Sequence, residues 1–413
     1  MERKILHCDL NNFYASVECL YRPDLTGVPV AVGGDAERRH GIVLAKNMPA
    51  KACGVKTGET LWQARQKCAG LVVLPPDFEK YERFSRMAQD IYAAYADRIQ
   101  PFGIDECWLD VTGIRREAFD IGDEIRRRIK EELGITISVG VSFNKVFAKL
   151  GSDMKKPDAV TVISKSNFRE VVWPLPIGEL LYAGSATVRG LHAMGITTVG
   201  LLAASDEAVI AKRFGKVGLM LRRYARGQDD ETVEVEGYRR EPKSIGNSVT
   251  TPKDLICRED VRLIATLMAE KVAARLRKAD MRAGGVCISI RDADLRWEEY
   301  YGRLETATAC SGELIETAMA LFDAEWDFGA RPAIRAFGVR AVHLLREAES
   351  IQLDMEGREQ REMRIAGLEE RIDGLRERYG KDAVCRAVML TRPDLVRTGR
   401  RLENPLPAPR KAQ

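Results

Sequence analysis

Apolar residues recur along this chain at two spacings, and the spacings divide it into elements. Short alternating or continuous apolar runs predict strands at Lys4 to Asp9, Val28 to Gly33, Gly41 to Ala45 and Ile135 to Val141. Steps of three and four predict helices at Phe13 to Leu20, Glu59 to Lys67 and Arg115 to Glu132. The clearest is Asp77 to Ile99, where Tyr81, Phe84, Met87, Ile91 and Tyr95 form one stripe. This mixed order predicts an α+β unit over residues 1–173. A second region, 174–232, opens at Trp173-Pro174-Leu175-Pro176. The acidic, irregular stretch Gln228 to Arg240 reads as a tether, with a linker at 233–242. Residues 243–348 then repeat strand and helix signals, with helices at Glu259 to Arg277 and Ser311 to Phe322. Strands at Val286 to Arg291, Tyr300 to Thr306 and Ile334 to His343 complete a β-α-β-β-α-β order, which predicts a four-stranded sheet with two helices on one face. In the tail, 349–413, a charged helix is expected at Gly357 to Tyr379. Its narrow stripe of Met363, Leu368, Ile372 and Leu375 would pack back or dimerise.

One place breaks the apolar logic. Asp105 and Glu106 lie side by side in Phe102-Gly103-Ile104-Asp105-Glu106-Cys107-Trp108-Leu109, where a buried strand should carry no charge. Asp9 likewise ends the apolar run Ile5-Leu6-His7-Cys8. Carboxylates that stay ionised among apolar neighbours require a cation or a basic partner. Together the three acids would form an all-oxygen site of the kind Mg²⁺ prefers when it shares coordination with phosphates. Most Asp-Glu pairs sit on solvated turns without chemistry, so the pair alone does not decide. Alternation along a strand would also send the two side chains to opposite faces, so convergence requires a hairpin turn or strand end.

The flanking residues decide it. Asp9-Leu10-Asn11-Asn12-Phe13-Tyr14-Ala15-Ser16-Val17-Glu18 and Asp105-Glu106-Cys107-Trp108-Leu109-Asp110-Val111-Thr112 resemble the two signature segments of Y-family translesion DNA polymerases of the DNA polymerase IV type. Gly103 stands where the second segment usually has Ser. The resemblance runs in order through about the first 345 residues. It implies a right-hand polymerase: palm and fingers (fingers about 20–77), a helical thumb, and a little finger at 243–348. It also implies that Asp9 and Asp105 bridge two Mg²⁺ ions, that Glu106 completes the ion at the primer 3′-hydroxyl, and that the Leu10 carbonyl binds the other. The backbone of Asn12, Phe13 and Tyr14 would meet the triphosphate, with Lys51 and Lys156. Tyr14 would be the steric gate against a 2′-hydroxyl.

Family members mostly carry Thr, Tyr and Arg where this chain has Ala45, Met48 and Lys51. Lys51 keeps the charge but not the bidentate fork, so nucleotide binding is expected to be weaker or rearranged. The thumb resemblance places a helix-hairpin-helix at Leu181 to Arg189, with Gly184 as phosphate contact and Ala186 replacing the usual second Gly. Lys216 belongs to a second matching segment. Lys243, Arg291, Arg335 and Arg340 lie on or beside the little-finger strands, where they would reach DNA phosphates. Gln352-Leu353-Asp354-Met355 resembles a sliding-clamp peptide, with Glu356 in place of the aromatic anchor.

Composition adds constraints. A net charge of +4 on 413 residues means a DNA binder must gather its basic residues on one face. The nine cysteines form no C-x-x-C pair, which fits reduced cytosol rather than a zinc or disulfide framework. No apolar run is long enough to span a bilayer, and no signal-peptide core is present. A soluble, cytoplasmic monomer is therefore expected, with primer-template DNA, deoxynucleoside triphosphates and, through the tail, a sliding clamp as partners. The competing reading is a polymerase-like DNA-binding accessory protein with weak or no catalysis. The losses at Ala45 and Met48 favour it, and the three retained acids oppose it. A nucleotidyl cyclase would need neither thumb nor little finger.

Overall fold

The computed structural model describes residues 2–35, 39, 41–235, 241–346, 358–380 and 382–396. The chain divides into two compact units, one ending and the other beginning at residues 239 and 240.

The first unit starts with the apolar strand β1 (Ile5–Leu10) and helix α1 (Phe13–Leu20), whose N-cap Asn12 adopts a left-handed φ of 51°. A small three-stranded sheet follows: β2 (Val30–Gly33), β3 (Val43–Lys46) and, after α2 (Met48–Ala52) and α3 (Leu61–Lys67), β4 (Val72–Leu74). Thr60 and Gln63 cap α3 reciprocally, which sets its start. The long stripe forms α4 (Phe78–Ala93), with Tyr81, Phe84 and Ile91 buried. It ends six residues before the expected Ile99. Ile99 instead pairs with Leu109 as part of the hairpin β5 (Ile99–Pro101) and β6 (Glu106–Asp110). Helix α5 (Ala118–Leu133) and strand β7 (Ile137–Ser142) follow the predicted order. Helix α6 (Lys145–Met154) and the parallel strand β8 (Val160–Ile163) were not anticipated.

The main sheet has the order β5-β6-β1-β7-β8. Alternation along β1 sends Leu6, Cys8 and Leu10 into a core with Tyr81, Ile91, Ile121 and Ile125 of α4 and α5. Ile5, His7 and Asp9 belong to the other face, where Ile5 and Trp108 pack with Ala148 of α6. Gly140 on β7 is what admits α6: a Cβ there would lie 1.8 Å from the Ala148 carbonyl oxygen.

A helical segment completes the unit: α7 (Phe168–Val172), α8 (Ser185–His192), α9 (Val199–Ala204) and α10 (Glu207–Ala225), which bends at Gly215. The segment after α10 is no loose tether. Val233 is fully buried, and the Asp229 carboxylate accepts from the Lys145 and Val146 amides at 3.1 and 3.4 Å. An acid at a helix N-terminus satisfies orphan donors and complements the dipole. The acidic segment that suggested a linker therefore anchors α6 through Asp229 and reaches β5 at Glu234, whose amide donates to Gln100 Oε1.

The second unit is a sheet of order β11-β10-β12-β9. Its elements are β9 (Ser244–Leu255), α11 (Arg258–Lys278), β10 (Met281–Asp292), β11 (Trp297–Thr308), α12 (Ser311–Glu325) and β12 (Ile334–Arg346). Ile288, Ile290, Phe337 and Val339 share a core with Leu263, Val272, Leu314 and Phe322 of the two helices. Helix α13 (Arg358–Tyr379) does return to this unit, though not by its apolar stripe. Leu368 and Leu375 are exposed, and the contact is ionic: Arg277 pairs with Glu369 and Asp373, and Arg376 with Glu270. The polar face of α13 wins because α11 offers it the half-buried Arg277 and Glu270 as ionic partners. The short α14 (Pro393–Val396) and the turn before it insert Leu395 and Met389 into the core.

Candidate active site

Antiparallel pairing sets Asp9 directly opposite Glu106, and His7 opposite Trp108. Cross-strand partners point to the same face, so Asp9 and Glu106 project together toward α6. Asp105 is the turn residue before β6, and its carbonyl accepts from the Leu10 amide at 3.0 Å. The strand end that convergence requires is thus present. The acids feel one another: burial and then the Glu106 charge raise Asp105, and burial with a smaller push from Glu106 raises Asp9.

Two lysines balance them. Lys149 of α6 places Nζ 2.5 Å from Glu106 Oε2, and Lys156 places Nζ 2.7 Å from Asp9 Oδ2 and 2.8 Å from Asp153 Oδ1. Burial pushes the Asp9 carboxyl up to about 6, against the pull of Lys156. Burial also acts to raise Glu106, but His7 and Lys149 outweigh it and hold it at about 2. Burial would lower Lys156, yet Asp9 and Asp153 keep its ammonium above the usual value. The turn carrying Lys156 is itself pinned. Asn11 accepts from the Asp158 amide at 2.9 Å and donates to Ser138 Oγ at 2.9 Å.

His7 is fully buried between these groups. His7 Nδ1 lies 2.8 Å from Ser152 Oγ, which donates to the Lys149 carbonyl. Nε2 is left without a hydrogen-bond partner, 3.6 Å from Glu106 Oε2. Burial lowers the imidazole below its usual value, against the pull of Glu106.

Among the described residues no three acidic, thiol or imidazole side chains form a finished metal cage. The donor set nonetheless fits a hard divalent cation: carboxylates at one sheet end, mutually repelling, with lysine ammonium groups as their counter-charges.

The remaining expected residues fall as follows. Phe13 is buried, and Tyr14 stacks on Tyr81 with centroids 4.2 Å apart and planes 11° from parallel. Tyr81 is fixed by its hydroxyl donating to Glu18 Oε1 at 2.8 Å. Lys51 lies exposed on α2, and burial, then the neighbouring Lys51 charge, lower the Lys46 ammonium. Gly184 is the N-cap of α8, but its own N–H donates to the Tyr182 carbonyl at 3.0 Å, which leaves the first-turn amides of α8 as the donors. Lys216 follows the bend in α10. In the second unit Lys243 precedes β9, and Arg291 of β10 lies over the Trp297 ring at 5.7 Å. Arg335 and Arg340 are on β12, the latter 2.7 Å from Glu299 Oε2. Gln352, Leu353 and Met355 lie outside the described residues. Sequence reasoning missed His7, Lys46 and Lys149. For Lys149 a signal existed: Lys145 and Lys149 are four apart in the mostly apolar run Lys145 to Leu150 and so share one helix face.

Residues 8–153 match the impB/mucB/samB family and residues 242–355 match its C-terminal domain. The chain is 46% identical over 393 residues to a DNA polymerase IV of Acetivibrio thermocellus, covering 94% of this chain and 98% of that protein. It is 33% identical to a DNA polymerase IV 1 of Bacillus subtilis, covering 95% and 94%. Its fold resembles a solved Y-family DNA polymerase chimera with a TM-score of 0.72 and 25% identity, covering 83% of this chain and 99% of the chimera. The chain therefore belongs to the Y family of DNA polymerases, with palm, fingers, thumb and little finger. Within that family it is a translesion DNA polymerase of the DNA polymerase IV type, and enzymes of this family depend on divalent metal.

Proposed function

We propose that the enzyme extends a primer 3′-hydroxyl with deoxynucleoside triphosphates on a DNA template, using Mg²⁺ held by Asp9, Asp105, Glu106 and the Leu10 carbonyl. The carrying observation is the register that sets Asp9 opposite Glu106, with Asp105 in the adjoining turn. Bound there, two divalent ions would lower the pKa of the attacking hydroxyl and neutralise charge on the phosphates. The chain's own side chains position and screen. Lys156, Lys46 and Lys51 supply positive charge to a triphosphate, compensating in part for the absent Arg. Tyr14, braced by Tyr81, stands as a flat barrier to a ribose 2′-hydroxyl. Lys216, the first turn of α8, Lys243, Arg291, Arg335 and Arg340 contact DNA phosphates, for which Arg340 must leave Glu299.

Domain boundaries at 173/174, 242/243 and 348/349, a clamp contact through residues 352–355, action as a monomer and residence in the cytoplasm belong to the same proposal. Among the described residues no helix is long and apolar enough to cross a membrane. Primer extension on undamaged and damaged templates, comparing wild type with Asp105→Ala in Mg²⁺, tests the reading. Wild type should extend, and the variant should lose at least about a thousandfold in rate, about 4 kcal/mol of barrier. An inert wild type, or an active variant, would refute it.

A further inference from the structure

Lys149 has no place in the motifs that carry the reading above, yet its ammonium lies 2.5 Å from Glu106 Oε2. It is not a loose surface lysine. Its side chain is 15% exposed, and Nζ sits 5.2 Å from the Phe102 ring centroid. Its helix is fixed against the sheet by the close approach at Gly140, by the Asp229 cap and by the hydrogen bond between His7 and Ser152. The same Glu106 oxygen faces His7 Nε2 at 3.6 Å. Lys149 is thus the one ammonium in direct contact with that oxygen among the described residues, beside the charges of two neighbouring carboxylates.

We propose that Lys149 is a built-in counter-cation: it holds Glu106 in place in the metal-free enzyme, and a divalent ion must displace it. Lys149 thereby sets the affinity of the site for metal. The inference rests on the metal reading above and deepens it. An ammonium and a divalent ion sharing one carboxylate repel strongly in a partly buried site. Metal binding is then weak until enough negative charge arrives, and an incoming triphosphate supplies that charge. Lys149 is in this sense a positioning residue rather than a catalytic one. It differs from Lys156, which is shared between Asp9 and Asp153 at the edge of the site.

The test is Mn²⁺ binding to the full chain without DNA or nucleotide, followed by electron paramagnetic resonance of the free ion. Wild type is compared with Lys149→Met, Lys149→Arg and Glu106→Gln. Lys149→Met should bind Mn²⁺ at least about tenfold more tightly than wild type, while Lys149→Arg, which keeps the charge, should match wild type. In chelator Lys149→Met should melt below wild type, and Mn²⁺ should close that gap, because ligand binding to the folded state stabilises it. Lys149→Gln serves the same comparison if the Met variant does not fold. Equal or weaker binding in Lys149→Met, with binding abolished in Glu106→Gln, overturns the proposal and leaves the metal reading intact. Binding that Glu106→Gln leaves unchanged overturns the metal reading itself, and the proposal with it.

Discussion

Replacing Gly140 by Ala should cost more than any neighbouring glycine replacement, because the added carbon meets backbone rather than side chain. The new Cβ would lie 1.8 Å from the Ala148 carbonyl oxygen and 2.5 Å from the Ser152 amide nitrogen. Comfortable non-bonded contact begins near about 3.5 Å, so α6 would have to lift from the sheet by more than about 1 Å. Lifting breaks the His7 to Ser152 hydrogen bond and the one from Trp108 Nε1 to the Lys145 carbonyl, at 2.8 and 3.0 Å. Overpacking costs about 1–3 kcal/mol and each lost hydrogen bond about 1 kcal/mol, giving about 3–5 kcal/mol in total. Gly122→Ala is the control. Its nearest contact is Val139 Cγ1 at 3.1 Å, a side chain that can yield, and Ala is favoured in a helix by about 0.5–1 kcal/mol. That variant should stay within about 1 kcal/mol of wild type. Urea unfolding gives the cost, and hydrogen exchange at the β7 amides localises it. Gly140→Ala should also slow primer extension, since Lys149 and the Lys156 turn move with α6. A Gly140→Ala protein within about 1 kcal/mol of wild type, with unaltered β7 protection, would refute the close-packing argument.

Three further outcomes follow from the geometry. In chelator, Asp9 holds its proton to about pH 6 in the folded chain but only to about 3.9 unfolded. The folded state therefore binds more protons, and stability should fall by about 3 kcal/mol as pH rises from 4 to above 6. Glu106, held at about 2, works oppositely and loses its contribution only below about pH 4.5. Urea titrations of wild type and Asp9→Asn check this, because the Asn variant should lack the fall between pH 4 and 6. Tyr14→Ala should raise ribonucleotide incorporation relative to deoxyribonucleotide by about tenfold or more, about 1.4 kcal/mol, in single-nucleotide insertion assays. Glu369→Gln should weaken the second unit by about 2–4 kcal/mol in thermal melting. This carboxylate accepts from the Ser311 amide and pairs with Arg277 at 2.5 Å while nearly buried.

Much of this was legible from the residues. Apolar spacing located α1 to the residue and gave the strand and helix order of the second unit, because one-sided burial writes its period directly into sequence. The acids Asp9, Asp105 and Glu106 stood out as charges in apolar runs. What stayed hidden depends on distant chain segments. Nothing local in Asp229 to Val233 says that it caps α6 and plugs the sheet face; its acidic composition is the same as a solvated linker's. Tyr95 matched the stripe of α4, but pairing of Ile99 with Leu109 ended the helix first. The face of α13 was misjudged because its partners, Arg277 and Glu270, come from another helix. Lys149 was missed because a lysine's role depends on the carboxylate opposite, and only the packing of α6 on the sheet brings Glu106 there.

The most direct measurement is anomalous diffraction from crystals of the enzyme with primer-template DNA, an unreactive deoxynucleoside triphosphate and Mn²⁺. Peaks bounded by Asp9, Asp105 and Glu106, with Lys149 withdrawn from Glu106, are the predicted result. Mn²⁺ bound elsewhere in a complex of proven activity, with those three carboxylates still paired to lysine, would contradict the account.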